Sequence, residues 1–365
     1  MTASTHPTPK PGIMDISPYV GGKSKADGAA RVIKLSSNEN PWGPSPKAVA
    51  AYTAQAQELH RYPDGGHAQL REAIAETHGL PAAQLICGAG SDELIGMLVH
   101  AYAGAGDEVL YSQHGFLMYK IYALGCGATP VTAPEKNLTA DVDALLSAVT
   151  ARTKIMFLAN PNNPTGTLLP FAEVKRLREK LAPHIILALD AAYAEYLDGN
   201  GYEDGCSLVR AGTNTVVLHT FSKIYGLPAL RLGWAFAPAH MIDVLNRVRS
   251  PFNVNAPALA AGIAAVRDQQ YVRDMREKNA VERTRVEDSL VQKGFAVVPS
   301  AANFLLVKFG AHMAAMNAFL SSRGLIVRDV ASYGLADYLR ISIGTTEENN
   351  LLIDAINDFA AAHAA

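Results

Sequence analysis

Three polar clusters stand directly behind short apolar runs, and together they could do amine–carbonyl chemistry. Asn160-Pro161-Asn162-Asn163-Pro164-Thr165-Gly166 follows Ile155–Ala159, Asp190 ends Ile185–Asp190 with Tyr193 three residues on, and Ser222-Lys223 follows Thr215–Thr220. A lysine just past a strand end can serve as a Schiff-base nucleophile, because burial and cationic neighbours lower its pKa. An aspartate aimed at the same spot suits a cationic ring nitrogen. A Schiff-base lysine with a carboxylate for a pyridinium is the working set of pyridoxal 5'-phosphate. Two elements could hold that cofactor's phosphate. Gly88-Ala89-Gly90-Ser91-Asp92-Glu93 is a small-residue turn opening a helix, whose free amides receive anions. Arg231 stands eight residues after Lys223. Each cluster alone has an ordinary reading: a turn, a helix cap, a solvated lysine. Together those readings would all have to coincide.

The elements around these clusters say why they could meet. Predicted strands are Leu85–Cys87, Glu108–Tyr111, Ile155–Ala159, Ile185–Asp190, Thr215–Thr220 and Leu232–Ala237, with helical patterns over His67–His78, Asp92–Ala101, Ala140–Val149 and Phe171–Leu181. Strands this apolar, alternating with helices, imply an α/β fold with a mostly parallel sheet covered on both faces. Ligands of such sheets bind beyond the carboxyl ends of the strands, where all three clusters fall. The stretch from Ala256 to Gln292 reads as one long or kinked helix, and the remainder mixes strands and helices as in a smaller α+β domain. The expected division is an N-terminal arm (1–30), a large cofactor-binding domain (46–258), and a small substrate-gripping domain (31–45 with 259–365).

Composition narrows the function. Of 365 residues 49% are apolar and 18% charged, and net charge is −2; mean hydropathy is +0.06. Such a balance provides no field for nucleic acid or anionic lipid, so any anion must be held by a few placed residues. Three separated cysteines supply no disulfide framework. With no basic-then-apolar leader and no long uncharged apolar run, a cytoplasmic enzyme that does not engage membranes is expected. Gly22-Lys23-Ser24 fails as a phosphate loop because Ser17 stands where a glycine is needed, and Gly88-Ala89-Gly90 lacks its third glycine, the position being Glu93. The 11 histidines form no HExxH, so no metal is expected.

The run from Ser222 to Gly233, SKIYGLPALRLG, resembles the lysine motif of the fold-type-I pyridoxal-phosphate-dependent aminotransferases. NNPTG, the Asp190–Tyr196 segment and Leu339–Thr345 stand in that family's order. Within the family, Ser36–Pro41 with Gly43-Pro44-Ser45, Arg61–Asp64 and Pro18-Tyr19 resemble the histidinol-phosphate aminotransferase branch. The resemblance implies that Lys223 anchors the cofactor covalently and Asp190 pairs with its ring nitrogen. Tyr193 and Asn163 would bond the ring's phenolic oxygen, and Phe116 would stack on the ring. Ser91, Asp92, Ser222 and Arg231 would take the phosphate, with Tyr62 reaching it from the other subunit of a homodimer with shared active sites. Arg340, supported by Arg328, Tyr19 and Asn40, would bind substrate, since a guanidinium fork grips carboxylate or phosphate alike. The implied substrates are histidinol phosphate and glutamate/2-oxoglutarate, with aromatic amino acids as a further donor class. Two motifs depart from the family pattern: His114-Gly115-Phe116, where Pro-Ser/Thr-aromatic is usual, and Pro228-Ala229, where Ala-Gly or Ser-Gly is common. Rival readings are an aromatic aminotransferase, a threonine-phosphate decarboxylase-like enzyme, and a non-catalytic cofactor- or amine-sensing protein.

Overall fold

The computed structural model describes residues 8–19, 21–22, 31–199 and 201–362. Lys23 and Ser24 of the rejected phosphate-loop run lie outside the described residues, as does much of the expected arm. Seven strands form one sheet in the spatial order Leu85–Gly88, Gly233–Phe236, Thr215–Thr220, Ile186–Asp190, Thr153–Ala159, Glu108–Ser112, Thr129–Ala133. All pairings are parallel except those of Gly233–Phe236, which runs antiparallel to both neighbours. Thr129–Ala133 escapes a sequence reading because its residues are exposed or half-buried up to Ala133, as suits an edge strand.

The central strands are buried along their whole length, which fits their unbroken apolar runs. Their side chains divide with period two. Leu187, Leu189, Val217 and Trp234 enter one core, and Ile186, Ala188, Val216 and Leu218 enter the other. Register aligns the strand ends, with Ala159 opposite Asp190 and Asp190 opposite Leu218. The segments that leave these three ends therefore start side by side.

A second sheet of four antiparallel strands runs Ala296–Val298, Phe304–Lys308, Tyr338–Ser342, Arg328–Asp329. It has its own apolar core with Leu320, Leu352, Ile356 and Phe359. The register sets Arg340 directly opposite Arg328. Like charges facing across a strand pair are unfavourable unless an anion lies between them. The two-residue strand Ile33–Lys34 pairs with Leu325–Ile326 and carries residues 36–38 toward the larger sheet.

The segment expected as one long or kinked helix is two helices, Ala256–Arg267 and Gln269–Gln292, broken at Asp268, whose ψ of 62° is not helical. Its carboxylate accepts from Ser45 Oγ at 2.5 Å and Lys47 Nζ at 2.8 Å. The interruption is invisible to periodicity because it is made by a tertiary partner rather than by a Pro or Gly.

Candidate active site

The strand ends open onto a cavity of about 210 Å³, and the antiparallel sheet closes its other side. Of the fourteen residues expected at the site, twelve line this cavity. Tyr62 and Asn40 do not.

Lys223 enters from just beyond Thr220. Its Nζ donates to Ser37 O at 3.2 Å and sits 5.7 Å from the centre of the Tyr193 ring. Burial, assisted by repulsion from Arg340, lowers its pKa to about 8. Asp190 is buried, and its carboxylate accepts from Tyr119 Oη at 2.8 Å and from the Ala192 amide at 3.2 Å. Both donors are neutral. Burial pushes the carboxyl pKa up, and the Tyr119 hydrogen bond pulls against it. A cationic ring nitrogen would supply the countercharge that these neutral donors lack.

At the opposite end, the helix Ser91–Tyr102 begins after Gly90, whose φ is +85°. A Cβ there would lie 2.6 Å from Arg231 Nη2, so only glycine lets the guanidinium lie against the turn. Arg231 also reaches Ser222 Oγ at 3.4 Å and Pro228 O at 3.1 Å. Amides of a helix start, a hydroxyl and an arginine form a donor set with the chemistry of a phosphate cradle. Asp92 stands beside it. Burial raises its pKa, while Arg231 and Lys223 oppose the rise. The carboxylate, the lysine and the phosphate cradle thus fit pyridoxal phosphate as a set.

Arg340 is buried, donating to Asn163 Oδ1 at 2.5 Å and Ser36 O at 2.8 Å, while its Nε lacks a hydrogen-bond partner. Arg328 lies beside the Tyr19 ring, with its guanidinium carbon 6.0 Å from the ring centre. Two cations and an unsatisfied buried N–H at one end of the cavity prepare it for an anion.

Sequence reasoning missed three lining or supporting residues. Tyr119 stands one helical turn after Phe116 and meets it edge-on at 5.9 Å, a spacing that alone assigns it no role. Asn38 holds a left-handed φ of 56° and donates to Tyr193 Oη at 2.9 Å. No pattern marks that contact, because it joins residues 155 apart. Tyr333 also lines the cavity, and its carbonyl lies 2.6 Å from His114 Nδ1. That contact and the close packing under Gly115, where a Cβ would meet Ser112 O at 3.0 Å, define the turn that presents Phe116.

Asn40 lies beside the cavity, not in its lining: its amide donates to Ile224 O at 2.8 Å and its Oδ1 accepts from the Trp42 amide, so it braces the backbone after Lys223. Tyr62 is 83% exposed and stacks on Phe252 at 4.6 Å, outside the cavity of its own chain.

With this geometry in hand, comparison with known proteins assigns the class: residues 30–356 match the family described as aminotransferase class I and II, and the chain belongs to that family. A histidinol-phosphate aminotransferase of Paramagnetospirillum magneticum is 58% identical over 362 residues, 98% of this chain and 100% of that protein. One from Rhodospirillum rubrum is 54% identical over 365 residues, 99% of each. The crystal structure of histidinol-phosphate aminotransferase from Sinorhizobium meliloti in complex with pyridoxal-5'-phosphate superposes with a TM-score of 0.90 at 28% identity, covering 99% of both chains. The expected fold-type-I architecture is therefore the observed one. No helix among the described residues is long and apolar enough to cross a membrane.

Proposed function

We propose that this protein is a pyridoxal-phosphate-dependent aminotransferase of histidine biosynthesis, exchanging the amino group of histidinol phosphate with 2-oxoglutarate. The observation that carries the reading is the single cavity in which Lys223 and Asp190 meet Arg231 at one end and the Arg340–Arg328 pair at the other. Two separate anion sites, one for the cofactor phosphate and one for a substrate anion, are what a phosphorylated donor and a dicarboxylic acceptor need. The relatives at 54% and 58% identity carry that activity in their names.

Lys223 would anchor the cofactor, and its amine would move the substrate's α-proton as general base and then acid. When bound, pyridoxal phosphate would supply the electron sink that this proton transfer needs. Asp190 holds the ring nitrogen protonated, and Tyr119 holds Asp190. Tyr193, itself held by Asn38, and Asn163 bond the phenolic oxygen. Phe116 packs on the ring. Ser91, Asp92 through its backbone amide, Ser222 and Arg231 hold the phosphate. Residues 46–258 bind cofactor, while 31–45 with 259–365 bring Arg328 and Arg340 to the substrate. The protein works as a cytoplasmic homodimer, with Tyr62 reaching the partner's phosphate.

A donor panel with 2-oxoglutarate tests the function. Histidinol phosphate is expected to give the highest kcat/KM. Preference for phenylalanine would make the protein an aromatic aminotransferase, and carbon dioxide release from threonine phosphate would make it a decarboxylase.

Three results are expected here. Arg340→Ala lowers kcat/KM for histidinol phosphate by roughly thirty- to a thousand-fold, the loss of a charge-assisted bidentate contact of about 2–4 kcal/mol. Arg340→Lys recovers part of it, and an unchanged histidinol phosphate rate would refute the shared grip. Capture of cofactor by the cofactor-free protein rises about tenfold per pH unit toward pH 8 and then levels, because the neutral amine is the nucleophile and Lys223 loses its proton near 8. Flat capture between pH 6 and 8 would contradict this. Finally, mixing Tyr62→Phe with Lys223→Ala protein restores activity, since one site of the mixed dimer is intact. Failure after verified subunit exchange would put the site within one chain.

A further inference from the structure

Behind the strand that leads to Lys223, a second polar cluster does not open into the cavity. Asp204, Cys206 and His219 each offer one ligand atom, and the three atoms lie within 4.8 Å of one another. His219 is 2% exposed, with its ring stacked on Trp234 at 4.1 Å. Its Nδ1 is paired with Glu195 Oε1 at 2.9 Å. Its Nε2 points at Asp204 Oδ2, 3.2 Å away, yet makes no hydrogen bond of ordinary geometry. Asp204 spends its other oxygen on the Cys206 amide at 2.9 Å, which leaves Oδ2 turned toward the imidazole and the thiol. Glu195 Oε2 is buried without a hydrogen-bond partner as well.

A buried imidazole nitrogen that faces a carboxylate and a thiol without a hydrogen bond of its own is unfavourable away from water. A divalent cation would give the idle Nε2 its partner. One nitrogen, one sulfur and one oxygen suit zinc, which takes such sets tetrahedrally and accepts water at the remaining position. A carboxylate behind the ring, as Glu195 is, fixes the tautomer that frees Nε2 for metal. Asp204 keeps its side chain 22% exposed, which provides an entry path.

We propose that Asp204, Cys206 and His219 form a binding site for a thiophilic divalent metal ion of the zinc class, with Glu195 orienting His219 and water completing the shell. The site is structural. It joins the strand Thr215–Thr220, which leads to Lys223, to the segment Ala194–Tyr196 directly after Tyr193 and to the helix Cys206–Ala211.

The test uses cofactor-loaded protein, stripped with a chelator and dialysed against zinc. Wild type is expected to retain one zinc per chain, to unfold at a higher temperature with zinc than without, and to show by zinc X-ray absorption one sulfur neighbour at about 2.3 Å. Cys206→Ser removes the sulfur signal and weakens zinc binding at least roughly tenfold, while Cys87 and Cys126 remain in place. Asp204→Asn, at a partly exposed position, weakens binding without touching the sulfur. Folded, active wild type that retains no zinc overturns the proposal, leaving His219 as a protonated link between carboxylates. Zinc bound with only nitrogen and oxygen neighbours, or with its sulfur signal intact in Cys206→Ser, overturns it too.

Discussion

Replacing Lys223 by alanine removes transamination to at least roughly 10⁴ below wild type while the protein stays folded. General acid–base transfer alone contributes up to about that factor, and the covalent anchor is lost with it. The fold is spared because the Lys223 Nζ donates to the Ser37 carbonyl and takes no part in either apolar core of the large sheet. Removing a buried amine whose protonation burial opposes also relieves a cost of folding. Between pH 8 and 10.5 the unfolded chain binds more protons at this lysine than the folded chain, so cofactor-free wild type gains stability as pH rises through that window. The variant shows no such gain from this site. The checks are single-turnover kinetics, the visible absorption of lysine-bound cofactor, and thermal unfolding across pH. Near-normal turnover would end the assignment of Lys223.

Asp190→Asn lowers kcat by roughly 10²–10³, the scale of removing one preorganised charge from a site where charge develops. The ring nitrogen loses the anion that keeps it protonated, and an amide cannot replace it. Asparagine is nearly isosteric: its Oδ1 can still accept from the Ala192 amide, and its Nδ2 can donate to the Tyr119 hydroxyl oxygen, so folding and cofactor retention change little. Tyr119→Phe gives a smaller loss in the same direction. It leaves Asp190 ionisable but deprives it of the hydrogen bond that opposes the burial-driven rise in its pKa. The discriminating measurement is the pH dependence of bound-cofactor absorption: the ring-nitrogen titration moves in both variants if Asp190 acts electrostatically. A loss of only a few-fold in Asp190→Asn, with unchanged spectra, would reduce Asp190 to a turn residue.

What the sequence determined by itself is local and short-range. Apolar runs bounded by Asn-Pro, Asp and Ser-Lys placed the central strands within a residue or two, because a strand buried on both faces must be apolar throughout. The same runs put Asp190 and Lys223 at strand ends, and the parallel-sheet rule then sent both to one crevice. The tertiary structure decided whatever depends on register between distant segments. Arg340 faces Arg328 only because Tyr338–Ser342 pairs with Arg328–Asp329 in that alignment. Asn38 meets Tyr193, and Asn163 meets Arg340, across 155 and 177 residues. Asn40 turns its amide to the Ile224 carbonyl, 184 residues away, a contact its motif does not show. The helix break at Asp268 likewise follows from Ser45 and Lys47. Side-chain type and spacing limit which chemistry is available, since they fix charge, reach and strand ends. Which polar atom meets which is settled by packing two separately cored sheets against each other, and no local pattern encodes that register.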